Sequence, residues 1–154
     1  MTEAPPMGII QRFRVTVDGI GSLGGWKSCK GMTVTFKHKV HYEGGIYDQP
    51  AFVFPENLEY QVITLERAMS ATDSPKVQQW LRDISKLWME DPTGGTYRGT
   101  QATIQLLDAS MTEVVASWTL RNVFPSKWSG PSLDAMGTAA VALESLELVH
   151  QGFL

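Results

Sequence analysis

Apolar and polar residues alternate along most of this chain, and the period of that alternation predicts strands. Over residues 11–18, Phe13, Val15 and Val17 point one way and Arg12, Arg14, Thr16 and Asp18 the other. A period of two is what a strand with one buried face requires. GIGSLGG (residues 19–25) follows as a hairpin turn. The longest alternating run spans residues 32–41. Met32, Val34, Phe36, His38 and Val40 share one face, and Thr33, Thr35, Lys37, Lys39 and His41 share the other. Residues 60–67 (YQVITLER) read as a further strand with apolar residues on both faces, as a strand covered twice would show. Residues 99–108 place Ala102, Ile104 and Leu106 together. Residues 114–124 align Ala116, Trp118 and Leu120 and then slip near Asn122. Residues 139–150 carry Val141 and Leu143, then Leu146 and Leu148 at the opposite parity. Both slips are of the kind a β-bulge produces.

One segment changes period. Val77, Trp80, Leu81, Ile84, Leu87 and Trp88 recur at steps of three and four, which predicts an amphipathic helix over residues 75–90. Ser74 is its expected N-cap and Pro75 its first helical residue. Pro92 with Gly94 and Gly95 stops it. Strands in consecutive runs with one substantial helix argue against a doubly wound α/β fold. The expected class is mainly β: an antiparallel two-sheet sandwich or barrel with one flanking α-helix.

Composition narrows the function. The 154 residues suit one domain, 1–154, with a single core. Residues 1–8 are Pro-rich and read as a flexible arm. The formal net charge of −3 lacks the basic footprint that phosphate binding demands, so no specific nucleic-acid partner is expected. The single cysteine, Cys29, excludes an internal disulfide. The start of the chain lacks a basic stretch followed by an apolar one, and no apolar run approaches the ~20 residues of a membrane span. The expectation is cytoplasmic folding and assembly, no membrane partner, and release by a route other than a cleaved signal.

A search for catalytic chemistry nominates nothing. His38 and His41 fall on opposite strand faces and His150 lies near the far end of the sequence, so they do not converge as zinc ligands would. They read as one packed and two solvated histidines. Lys27 and Lys30 flank Cys29 and could lower its pKa, but a lone cysteine reads first as a small residue in a strand or loop. The glycines after the first strand do not open a helix, so the anion site of a phosphate-binding turn is missing. No enzyme, cofactor or metal is expected.

The carboxy-terminal third is the most informative part. WTLRNVFPSKWSGPSLDA (residues 118–135) and VALESLELVHQGF (residues 141–153) resemble the tail-tube family of contractile bacteriophages, which includes the inner tubes of extracellular contractile injection systems. Phe124, Pro125 and Trp128, then Gly130, Pro131 and Leu133, fit the family's aromatic-proline corner. Glu144, Ser145, Leu146, Glu147, His150 and Gly152 fit its last strand, with Gln151 where Glu is frequent. FRVTVDGI, HYEGG (residues 41–45), ITLERAMSATD (residues 63–73) and Trp80 extend the resemblance over nearly the whole chain from Phe13. It implies a two-sheet barrel with a flanking helix, in hexameric rings stacked as a hollow tube within a contractile sheath. The implied partners are further copies of the chain, the sheath, baseplate or spike and terminator proteins, and a payload in the lumen. The implied setting is a phage tail or tail-like particle, in some cases released extracellularly.

Two surfaces follow as expectations. The polar face of Thr33, Thr35, Lys37 and Lys39, with the Arg12–Thr16 face beside it, suits a wet, non-adhesive lumen wall. Residues 43–57 form a long loop with apolar side chains. Glu43, Gly44, Gly45, Ile46, Tyr47, Phe52 and Phe54 are its candidates for contact between rings, unless the loop folds back over its own barrel. The alternatives are a single-ring tube initiator or baseplate-proximal paralogue of the same fold, and a small β-barrel enzyme, which would need a polar pocket that nothing here nominates.

Overall fold

The computed structural model describes residues 13–18, 21–23, 26–42, 52–90, 99–110 and 112–154. Within them lie nine strands and one helix. Seven strands form a continuous antiparallel sheet in the order β2-β1-β7-β8-β9-β6-β3, and β4 pairs with β5 apart from it. The fold is therefore mainly β, with two antiparallel sheets and one helix.

β1 (Phe13–Val17) buries Val15 and Val17, the face its alternation predicts. It pairs with β2 (Gly21–Ser22) across the glycine-rich turn and with β7 (Thr100–Leu107) on its other side. β7 buries Ala102 and Ile104, but an irregularity at its end turns Leu107 rather than Leu106 into the interior.

β8 runs from Val114 to Ser129, well beyond the expected end at residue 124. Its first part pairs with β7 and its last part, Phe124–Ser129, with β9 (Leu143–Val149). Between them Asn122 takes a φ of 50°, a left-handed conformation that asparagine tolerates. The slip read near Asn122 lies here, where residues 121–122 stand opposite a single step of β7. The aromatic-proline corner is a second irregularity inside the strand, between Pro125 and Lys127. β7 has ended opposite Val123, so the N–H that Pro125 lacks is not needed for that ladder.

β9 corrects an expectation. Its pairing with β6 (Ile63–Ala68) runs without interruption from Ile63 opposite Leu148 to Ala68 opposite Leu143. There is no bulge between Glu144 and Leu146. Glu144, Leu146 and Leu148 all point inward, while Val141 and Leu143 are exposed. The apparent parity change arose because the buried residue at the first inward position is an acid.

Glu144 is fully buried, and Arg67 on β6 meets it: Arg67 Nε donates to Glu144 Oε1 at 2.5 Å. Arg67 also donates to the carbonyls of Leu23 and Asp73, and its guanidinium lies 4.1 Å from the centre of the Trp26 ring. Ser74 Oγ donates to Glu144 Oε1 at 3.0 Å and Trp128 Nε1 to Oε2 at 3.2 Å. This network joins β6, β8, β9, the segment before β3 (Ser28–Lys30) and the start of the helix.

The helix, α1, spans Ser74–Glu90 and sets Val77, Trp80 and Ile84 into the core formed by β1, β6, β7, β8 and β9. Leu87 and Trp88 remain largely exposed, although Trp88 meets Phe124 edge-on. Ser74 is the first helical residue rather than a free cap. Its hydroxyl is committed to Glu144, and Ser70 Oγ accepts from Asp73 N at the entry turn. The stop signals at residues 92–95 and the arm at residues 1–8 lie outside the described residues.

Candidate assembly surface

The body described so far encloses an apolar core, whereas one part of the chain leaves nearly all of its side chains exposed. β4 (Val34–His41) and β5 (Phe52–Tyr60) form a two-stranded ribbon that, among the described residues, shares no backbone ladder with the other sheet. Every side chain of β4 after Val34 is exposed, as is every side chain of β5 before Tyr60. An isolated two-stranded ribbon with water on both sides is marginal at best.

The register assigns the two faces. Val34 stands opposite Tyr60 and Phe36 opposite Leu58. From Phe36 to His38 the partner strand advances from Leu58 to Pro55, so β5 takes three steps where β4 takes two. Beyond this bulge Val40 faces Val53. One face therefore gathers Val34, Phe36, His38, Val40, Val53, Pro55 and Leu58. Phe36 is 64% and Val53 60% exposed, and they border an open groove of about 380 Å³ with Pro55 and Leu58.

The other face carries Thr35, Lys37, Lys39 and His41, continuing the line of Thr33 just before the strand. Lys37 lies 3.4 Å from Glu59 and Lys39 3.5 Å from Glu56. These exposed pairs add little stability. They do make the face locally near neutral, with cation and anion interleaved. The four polar residues are legible in the alternation of residues 32–41, whereas their acidic partners Glu56 and Glu59 lie in a stretch whose local pattern reads as a loop.

That is the main correction at this site. Residues 52–57 belong to β5. Phe52 and Phe54 stand opposite His41 and Lys39, and their rings lie 6.0 Å apart at the far end of the polar face. Pro55 disguised the strand, because proline inside a run argues against one. It is tolerated here at a bulge in a strand that has a single ladder partner among the described residues. Glu43, Gly44, Gly45, Ile46 and Tyr47 lie outside the described residues.

A second uncovered apolar stretch lies between β8 and β9, where Leu133 is 87% and Met136 94% exposed. Sequence reading had placed Leu133 in a family corner without giving it a surface role.

The remaining nominated side chains show little reactive chemistry. Burial pushes the Cys29 thiol up to about 11, opposite to the activation its lysine neighbours suggested. His38 and His41 are exposed and His150 is packed. Among the described residues no three His, Cys, Asp or Glu side chains gather as metal ligands, and no helix is long and apolar enough to cross a membrane.

The sequence matches the family described as T4-like virus tail tube protein gp19 over residues 11–154. No curated protein matches it by sequence. The fold is similar to a chain in the sheath-tube complex of the extracellular contractile injection system PVC in its extended state. That chain shares 20% identity, with a TM-score of 0.73 and coverage of 95% of this chain and 88% of the other. It is also similar to a chain of the anti-feeding prophage baseplate, with 24% identity, TM-score 0.70 and coverage of 98% and 95%. A chain in the tube-terminating cap of the anti-feeding prophage matches at 21% identity and TM-score 0.72, covering 96% and 89%.

Proposed function

The chain belongs to the T4-like virus tail tube protein family, and from that premise we propose that it is the inner-tube subunit of a contractile injection machine, assembled as hexameric rings stacked around a lumen. One observation carries the reading: a body with its own core bears a ribbon whose two faces are exposed and whose outer backbone edges have no ladder partner among the described residues. Such edges invite pairing with another chain. Head-to-tail contacts close into a ring where the rotation between copies allows and propagate into a filament where it does not, so a stacked tube needs one contact of each sort.

The two faces then take different roles. Thr33, Thr35, Lys37 and Lys39, interleaved with Glu56 and Glu59, line the lumen. A wet wall of balanced charge neither traps nor repels a passing payload strongly. Phe36, Val40, Val53 and Leu58 lie against the neighbouring copy. The far end of the ribbon, with Glu43–Tyr47, Phe52 and Phe54, meets the next ring. The sheath, baseplate and cap of the related complexes are the classes of partner this reading assigns to the chain, and the role is structural rather than catalytic.

Deleting residues 46–54 tests it, with negative-stain microscopy of the purified protein. Intact protein should give long tubes, and the deletion should give rings or monomers with the body still folded. Tubes that survive the deletion, or intact protein that stays monomeric at high concentration, would overturn the assignment. Isolated rings from the intact chain would favour the initiator alternative.

A further inference from the structure

The ribbon is held to the body at its base by a small set of contacts. The chain enters β4 through Gly31, whose φ of +98° is a glycine conformation and where any Cβ would collide with the Val62 carbonyl. It leaves through Gln61, whose N–H donates to Thr33 O at 3.3 Å. Tyr60, the last residue of β5, meets the His150 ring edge-on at a centroid separation of 5.4 Å and the Phe153 ring at 5.1 Å. The C-terminal segment thus grips the ribbon where it joins the body.

His150 stands at the middle of this grip. Gly152 N–H donates to its Nδ1 at 3.1 Å, and its Nε2 lies 3.1 Å from Gln61 O. An amide N–H can only donate and a carbonyl can only accept, so the two contacts together specify a neutral ring with its proton on Nε2. Arg121 on β8 secures the same segment, donating to Leu154 O at 2.6 Å while exchanging backbone bonds with Gln151 and Gly152.

We propose that His150 is the positioning residue of a pH-sensitive clamp that fixes the ribbon to the body, closed while the ring is neutral and loosened when it gains a second proton. Protonation would set an N–H at Nδ1 against the Gly152 N–H and place a cation near Arg121. Of the groups facing the ring, Arg121 on β8 opposes the charged form, the Gln61 carbonyl favours it, and Tyr60 and Phe153 supply neutral rings. Burial is the largest influence, and it holds the ring below its ordinary value of 6.5. A depressed histidine contributes its full share of stability above that value. The share declines as pH falls below 6.5, because the open form takes up the proton first.

The clamp stands on the base geometry alone, whereas its consequence for assembly rests on the proposed function. Hydrogen-exchange protection, corrected for intrinsic rate, tests the clamp in the full-length subunit. Between about pH 7.5 and about pH 5.5, protection at Gln61 and Gly152 should fall several-fold, up to about tenfold per pH unit, while Leu65 in the body holds steady. His150→Gln should remove the pH dependence. Flat protection in the intact protein, or an unchanged dependence in H150Q, overturns the clamp. If H150Q does not fold, the wild-type series read beside the His150 ring titration by NMR decides: protection begins to fall near the open-form value of 6.5 and levels off at the lower midpoint of the folded ring, or the clamp is wrong. If the ribbon loosens on this schedule yet tubes assemble equally at both pH values, the clamp stands and the ribbon's proposed role in assembly fails.

Discussion

The body and the ribbon of this molecule obey opposite rules. In the body, an arginine and a glutamate 77 residues apart in sequence are buried together and fully engaged. In the ribbon, phenylalanine and valine stand in water, and its lysines and glutamates pair at distances of 3.4 and 3.5 Å on an open face. The contrast separates two demands on one chain. The body must be stable alone, and its buried Arg67 and Glu144 side chains find their partners within it. The ribbon gains little from its own chain, which is what a surface intended for another copy requires.

Substitutions can break that comparison. The largest effect is expected at Glu144→Ala, which leaves the Arg67 guanidinium buried without its acid. Removing one partner of a buried pair costs about 3–5 kcal/mol, and urea unfolding should show it. Next comes Gly152→Ala. Gly152 has a φ of 128°, and an added Cβ would lie 2.8 Å from the Tyr60 ring and 2.6 Å from Arg121 Nη2. A loss of about 1–3 kcal/mol is expected from backbone strain of this kind, with ribbon amides exchanging faster than body amides.

Phe36→Ser should divide the two regions. As a surface change it should move unfolding stability by only about 0.5 kcal/mol, yet the proposed function requires that tube assembly be impaired. A stability loss as large as that of E144A would mean that Phe36 belongs to a core. The smallest effect is expected at Lys39→Ala. Its partner Glu56 is exposed on the same face, and such pairs contribute about 0.2–1 kcal/mol. Sedimentation and thermal unfolding should both stay close to wild type.

The body was largely legible in the sequence because a core imposes its period on the strands around it. Val15, Val17, Ala102 and Ile104 lie where alternation put them, and Val77, Trp80 and Ile84 where the helical spacing did. The misreading at β9 has a physical cause: alternation counts apolar residues, and the inward position was held by Glu144, whose partner Arg67 lies on another strand. The ribbon failed differently. Its polar and apolar faces were visible in residues 32–41, but alternation ordinarily means one face against the chain's own core, and here neither face has one. Its partner strand was hidden by Pro55 and by a bulge that shifts the parity of Phe52 and Phe54. The clamp at His150 depends on Tyr60 and Gln61, which no local pattern connects to the end of the chain.

A last consequence belongs to β8. Because one strand serves both halves of the large sheet, the halves are joined by a peptide backbone as well as by packing. They cannot slide apart like two cards; relative motion must pass through the bend at Asn122, where φ is 50°.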